Sequence, residues 1–380
     1  MKGGELINQG SYGCIYKPGL KCNIEKGEKG EEEITKLQIL NEFSLKEMEI
    51  GKKIIEKYPN DYMEHFSPII ESCVDIELKS IDKEIKKCEA LRGEEEKVVL
   101  NRMRDEGKET LGDVLIKTKS KSISIRQYYY TLLKVLESIE KLNEIGIIHM
   151  DIKGNNIMYN SKMERPKIID FGLSLNMDKL KEQEKDVFFT YAYDYEPWCI
   201  DLTIITYIIK KRQKEEKITE EEYEENIKVI ISDYVKNNSN VLEEYKERYE
   251  KDLKEYFKKK IGMTYGELYE DLLKGNKTWD GISILIMYNY FLMAMTDIRS
   301  NEELKKIEKI REYIEWLEEN MYKMPNERRT VGELKEGLEE LLKKMVTNEM
   351  TTKINKNKKM YMNQLERVEK SRERLMSKKE

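Results

Sequence analysis

The hydrophobic period changes once along this 380-residue chain, and that change limits the folds open to it. Up to about residue 104 the apolar positions come in short runs rich in β-branched and aromatic residues: ELINQGSYGCIYK around Gly10 and Gly13, then ITKLQIL, FSPIIESCVDI and EKVVLNRM. A helical pattern, SLKEMEIGKKIIEKY, sits among them, with Ser44 and Glu47 spaced as a capping box. From SIRQYYYTLLKVLESIEKLNEIG (124–146) onward the period is helical, broken by a polar loop within GIIHMDIKGNNIMYN and by RPKIIDFGLS. The pattern predicts an α+β protein with a small β-rich part over 1–104 and a larger, mainly helical part over 105–345. Charged helices near 210–275 and a basic helix or tail over 346–380 complete it.

Composition excludes several classes. Lys and Arg total 69 against 74 Asp and Glu, a net charge of −5, so a protein that wraps nucleic acid directly is not expected. Cys14, Cys22, Cys73, Cys88 and Cys199 form no CxxC pair, which predicts neither a disulfide framework nor a zinc ribbon, and a reducing compartment. The start MKGGELINQGSYG lacks the apolar core of a signal peptide, and ISILIMYNYFLMAM (282–295) is short for a bilayer span, so a cytoplasmic protein with no membrane partner is expected. Residues 210–260 are dense in charge and tyrosine and read as exposed helices, with Thr219 and Glu222 in capping-box spacing. The tail from 351 to 380 carries ten Lys or Arg and four Glu, and is either a solvated helix or a segment that docks a partner.

Three separated segments carry chemistry when taken together. Asn8-Gln-Gly10-Ser11-Tyr12-Gly13-Cys-Ile15 allows backbone N–H groups to approach a polyphosphate. After His149, the side chains of Asp151, Lys153 and Asn156 are suited to accept a hydroxyl proton, neutralise a transferring phosphoryl group and ligate a hard cation. Asp170-Phe171-Gly172, at the end of an apolar run, adds a second oxygen ligand.

In this order the three segments resemble the protein kinase family. GxGxxGxV stands here as NQGSYGCI, with Asn8 in place of the first glycine; HRDLKxxN stands as HMDIKGNN; DFG is intact. MPNERRTVGELKEGLEELL resembles the family's DPxxRxT segment through Pro325, Arg328 and Thr330. The resemblance implies a bilobal kinase-like fold with ATP and Mg²⁺ (Mn²⁺ being possible) between a small lobe and a larger helical one. The implied reaction is transfer of the γ-phosphate to serine or threonine hydroxyls of protein substrates. Asp151 and Lys153 are the implied catalytic pair, and Asn156 with Asp170 the implied metal ligands. Asn8, Gly10, Ser11, Tyr12, Gly13, Ile15, Lys36 and Glu47 are the implied ATP-binding set. Lys36 is preferred to Lys17 as the strand lysine, and Glu47 to Glu49 as its partner, the second choice remaining open.

The segment after DFG departs most from the family pattern. No APE triplet follows; YEPW (195–198) stands in its place. Asp201 is preferred over Asp280 as the aspartate that anchors the catalytic loop from below, and His149 is expected to brace the loop backbone. Met150, where many kinases carry arginine, is expected to pack beneath the aromatic segment FFTYAYDYEPW. These departures resemble the divergent serine/threonine kinases of large double-stranded DNA viruses, which would place the chain in host cytoplasm or a virion. A small-molecule kinase of related fold and a non-catalytic pseudokinase scaffold are the alternatives.

Overall fold

The computed structural model of the chain describes residues 4–10, 13–19, 33–76, 87–91, 97–116, 123–160, 164–188, 191–238, 241–298, 300–344, 351–352 and 358–377. It divides into two compact units, Met1–Glu109 with Met158–Asn176, and Thr110–Ile157 with Met177–Glu380.

The first unit is built on a five-stranded antiparallel sheet of β1 (Glu5–Gly10), β2 (Gly13–Lys17), β3 (Glu33–Ile39), β4 (Glu71–Ile76) and β5 (Val98–Arg104), in the order β1-β2-β3-β5-β4. Cys14, Tyr16, Leu37, Val98 and Leu100 on one face pack with Cys88 and Leu91. A buried Leu or Val contributes roughly 1.5–3 kcal/mol, so this cluster is the main hold on so short a sheet. Cys14 and Cys88 are joined by a disulfide, contrary to the expectation from cysteine spacing. The bond closes a separation of 74 residues, which no short-range spacing rule registers.

Helix α1 (Glu42–Lys57) starts before the expected Ser44. Asn41 is its N-cap, accepting from the N–H groups of Phe43 and Ser44, while Ser44 Oγ accepts from the Asn41 N–H at 2.9 Å. The reciprocal cap is therefore Asn41 with Ser44, and Glu47 is left as an interior residue on the buried face of the helix. A Cβ on Gly13 would lie 2.3 Å from the Leu37 carbonyl oxygen, so the approach of β2 to β3 itself requires glycine there.

The second unit is helical. Its centre is the helix Asn276–Thr296, apolar on nearly every side and buried accordingly. Among the described residues no helix is long and apolar enough to cross a membrane, and the run 282–295 is part of this core helix. On Ile125–Glu144, Tyr128 and Tyr129 are buried and Tyr130 lies at the rim; the Tyr128 hydroxyl donates to the Tyr288 carbonyl at 2.5 Å.

The charged region is less exposed than its composition predicts. In Glu243–Lys258 the residues Tyr245, Tyr249, Leu253, Tyr256 and Phe257 are buried, steps of three and four that make one apolar stripe, with the Lys and Glu residues filling the outer face. Thr219 does cap its helix, accepting from the Glu222 N–H at 3.1 Å.

The helix Ile200–Lys211 is fixed at its start by Asp201, whose carboxylate lies 2.6 Å from the Arg328 guanidinium, both side chains being almost wholly out of solvent. Burial works against the charge on Arg328, but the Asp201 carboxylate opposes it, and its pKa is pushed up. Burial and then the Asp201 charge push the Cys199 thiol up to about 12, which makes it inert at neutral pH. Arg328→Ala strands a buried carboxylate and is expected to cost about 3–5 kcal/mol in urea denaturation. The double variant Arg328→Met with Asp201→Leu, which leaves no charge behind, is expected to lose less than Arg328→Ala alone; an equal or larger loss would mean that packing, not charge pairing, dominates the site.

Candidate active site

In the first unit, Lys36 stands in β3 opposite Ile15 of β2 and Asn101 of β5. Its ammonium is 2.9 and 2.8 Å from the two Glu47 carboxylate oxygens and 3.3 Å from Asp170 Oδ1. Gln38, two residues on and therefore on the same face, donates to Glu47 at 3.2 Å. The competing residues are engaged elsewhere. Lys17 pairs with Asp105, and Glu49 accepts from the Asn176 amide at 3.4 Å.

Asp170 is held in a left-handed backbone conformation, φ 63° and ψ 74°, that a non-glycine residue adopts at a cost of order 1–3 kcal/mol. The surrounding contacts maintain it: Phe171 is buried edge-on against Phe66, at 6.3 Å between ring centres. At the sheet's other side Gly10 faces Gly13 across the β1–β2 turn, and exposed Asn8 pairs with Ile15. Ser11 and Tyr12 lie outside the described residues.

In the second unit the loop after Ile148 is suspended from Asp280. That carboxylate accepts from the His149 N–H at 2.6 Å and from the Met150 N–H at 2.8 Å. The expected anchor was Asp201, which instead pairs with Arg328. Asp280 lies far from Asp170 along the chain, and the charged helices fill the interval. His149 is buried and its Nδ1 accepts from the Asp151 N–H at 3.3 Å, bracing the loop backbone. Met150 is buried with φ 63°, and its carbonyl accepts from Trp198 Nε1 at 3.1 Å.

These contacts fix a buried Asp151. Asn156 donates to the Asp151 carbonyl at 3.0 Å and to its Oδ2 at 2.9 Å, and the Lys153 ammonium lies 3.4 Å from Oδ1. Sequence reasoning gave Tyr195 no individual role, yet its hydroxyl donates to Asp151 Oδ1 at 2.5 Å. Burial, and then the Asp151 charge, hold its phenol well above the usual range, so it acts as a neutral donor. Two residues of the tail arrive as well: Glu369 lies 3.0 Å from Lys153, and Arg372 lies 3.5 Å from Asp151 Oδ2. Only the position of YEPW in the sequence hinted at Tyr195, and the charge of the tail did not indicate where it would settle.

Among the described residues no three carboxylate, imidazole or thiolate groups gather into a preformed metal cage. In the first unit Asp170 presents a partly exposed carboxylate; in the second, the Asn156 side-chain nitrogen is committed to Asp151. Few, hard oxygen ligands are what Mg²⁺ takes from a protein when phosphates and water supply the rest.

Among curated proteins, the chain is 28% identical over 145 residues to the probable serine/threonine-protein kinase CCRP1 of Zea mays, covering 32% of this chain and 23% of that protein. It is 45% identical over 53 residues to the probable serine/threonine-protein kinase mkcE of Dictyostelium discoideum, 14% of this chain and 7% of the relative. The human cell division cycle 7-related protein kinase is 28% identical over 53 residues, 14% of this chain and 9% of the relative. The chain thus spans less than a quarter of each of these relatives, and they do not bear on the likeness to viral kinases. The match to the protein kinase domain itself is far longer: it runs over residues 46–263, more than half of the chain and most of the charged helical region, and the chain belongs to the protein kinase domain family.

Proposed function

We propose that the chain is a serine/threonine protein kinase, transferring the γ-phosphate of ATP to protein hydroxyl groups. The observation that carries the reading is the Lys36–Glu47 ion pair with Asp170 beside it. A scaffold that no longer handled nucleotide would have no use for a lysine held between two carboxylates and largely withdrawn from water. Glu47 fixes the direction of the Lys36 ammonium, so that it can meet the α- and β-phosphates as a positioned point charge. The glycine loop around Gly10 and Gly13, with Asn8, Ser11, Tyr12 and Ile15, would cover the nucleotide.

Asp170 and Asn156 would hold Mg²⁺, or Mn²⁺ in its place, which when bound neutralises charge on the phosphates. Asp151 takes the proton from the acceptor hydroxyl as it attacks, and Asn156 keeps the carboxylate turned for that task. Lys153, within 3.4 Å of Asp151, stabilises charge on the transferring group. The lysine two places after Asp151, together with the segment around Arg328, favours a protein acceptor over a small hydroxyl compound. Incubation with labelled ATP, Mg²⁺ and histone is expected to yield phosphoserine or phosphothreonine; nucleotide binding without any transfer would support a scaffold, and transfer to small hydroxyl compounds alone a small-molecule kinase.

Asp151→Asn is expected to leave nucleotide affinity nearly unchanged and to lower turnover by roughly 10²–10⁴-fold, the usual loss for one positioned general base. Turnover equal to wild type would remove Asp151 from the mechanism. Asp170→Ala is expected to abolish Mg²⁺-dependent ATP binding in calorimetry, because so few hard ligands are present; unchanged affinity would argue against its role.

Met150 cannot recruit a phosphate as arginine does, and Phe188, Tyr195 and Trp198 are already buried. Activity is therefore expected to survive a broad phosphatase that strips residues 173–200, as verified by mass spectrometry. A tenfold fall reversed by rephosphorylation would show that the segment depends on phosphate after all.

A further inference from the structure

The tail helix Lys358–Ser377 does not behave as its composition suggests. Its outward positions, Glu366, Arg367, Lys370 and Glu373, are exposed, but Val368, Leu375 and Met376 are buried. Leu365 and Val368 line one narrow crevice with Ile152, Pro197, Ile286 and Met287. The helix is therefore seated by an apolar face directly beside the loop that carries Asp151 and Lys153.

Its polar contacts fall on the reactive groups themselves. Glu369 sits 3.0 Å from the Lys153 ammonium, and Arg372 sits 3.5 Å from Asp151 Oδ2. Alongside them, Arg374 lies 3.0 Å from the Asp194 carboxylate and Ser371 donates to the Asp194 carbonyl at 3.2 Å. With Tyr195 and Lys153 on Oδ1, and Asn156 and Arg372 on Oδ2, the Asp151 carboxylate has a neighbour at every useful direction. An acceptor hydroxyl must approach one of those oxygens to within about 3 Å to give up its proton.

We propose that this helix is an autoinhibitory strap, an intramolecular occupant of the acceptor surface that resembles a basic acceptor segment and must leave before a protein substrate can bind. The inference rests on the kinase reading above. Arg372 and Arg374 lie where the chain offers Asp151 and Asp194, so the uncovered surface is acidic and suits acceptor segments rich in arginine or lysine. Glu369 at the same time cancels the cation meant for the transferring group. The contacts that hold the strap are of three kinds: an apolar seat, the largely buried contacts of Glu369 with Lys153 and of Arg372 with Asp151, and the Arg374–Asp194 pair, in which one side chain is 65% exposed. Exposed pairs are weak and screened by salt. A device held this way can open without unfolding the core beneath it.

Full-length variants test this. Arg372→Glu with Arg374→Glu sets carboxylates against Asp151 and Asp194, while Val368→Asp with Leu375→Asp spoils the apolar seat; Lys370→Glu, on the exposed side, serves as the control. Lys153 is buried, so its modification by an amine-reactive reagent, read by mass spectrometry, reports whether the strap has left independently of any activity. Both double variants are expected to expose Lys153 and to phosphorylate histone at low concentration about tenfold faster, as when a competent state rises from a tenth to most of the population. The gain should appear as a lower KM for histone with the KM for ATP unchanged, and the control should match wild type. Exposure of Lys153 with no gain in transfer overturns the proposal, as does a gain seen only in the KM for ATP or protection of Lys153 in both variants. A wild type that phosphorylates histone, with variants no faster, sinks the strap alone; absence of transfer by every protein sinks the kinase reading with it.

Discussion

The second unit depends on one buried carboxylate. Asp280 lies in the most thoroughly apolar helix of the chain and has two backbone N–H groups, those of His149 and Met150, as its partners. Burial pushes its pKa up, with the His149 ring and the two N–H groups pulling the other way. Each of those N–H groups left without an acceptor in so dry a place would cost roughly 1–3 kcal/mol, so loop and helix hold each other. The hydrogen bonds also support the left-handed backbone of Met150, φ 63°, which a residue with a Cβ adopts only at a cost. Fixing that turn sets the direction in which Asp151 leaves the core.

The first unit secures its polar residues by a different means. Lys36 is tied by charge to Glu47 and Asp170, within a sheet whose core is only a few side chains deep. The side chains of Lys36 and Glu47 are 16% and 3% exposed, so the pair is largely withdrawn from water and its desolvation is offset by the close carboxylate oxygens. Asp151, by contrast, is wholly buried and held by hydrogen bonds to neutral groups as well as by Lys153.

The fold class was legible because the change from short strand-like runs to helical periodicity is a property of local sequence. Lys36 and Glu47 were legible for the same reason, although the helix begins at Glu42 and the cap is Asn41 with Ser44. What was not legible is long-range. Asp201 and Asp280 are both aspartates near the start of apolar helices, and only the packing of the helices decides which meets the loop and which meets Arg328. The Cys14–Cys88 bond and the stripe of tyrosines in Glu243–Lys258 were likewise obscured, one by separation in sequence and the other by the charge surrounding it. Between the two courses left open for the tail, net charge could not choose, because it says nothing of Val368, Leu375 and Met376, three apolar residues spaced to share one face.

Met150 connects these observations. An arginine in its place would bring a cation that needs a partner, and a phosphorylated segment is the partner that would then order the chain. With methionine no such demand arises. The Met150 carbonyl is taken by Trp198, Trp198 stacks edge-on with Tyr195 at 5.3 Å, and Tyr195 reaches Asp151. The aromatic segment is thereby placed by burial, a force that no charge-adding modification is needed to create. Order in that segment is then a constant rather than a variable. The variable lies instead in the tail, which combines an apolar seat and a nearly buried contact with Asp151 with a pair to Asp194 that is open to salt and to competing basic groups. Where the active arrangement is built by packing, control falls to whatever covers it.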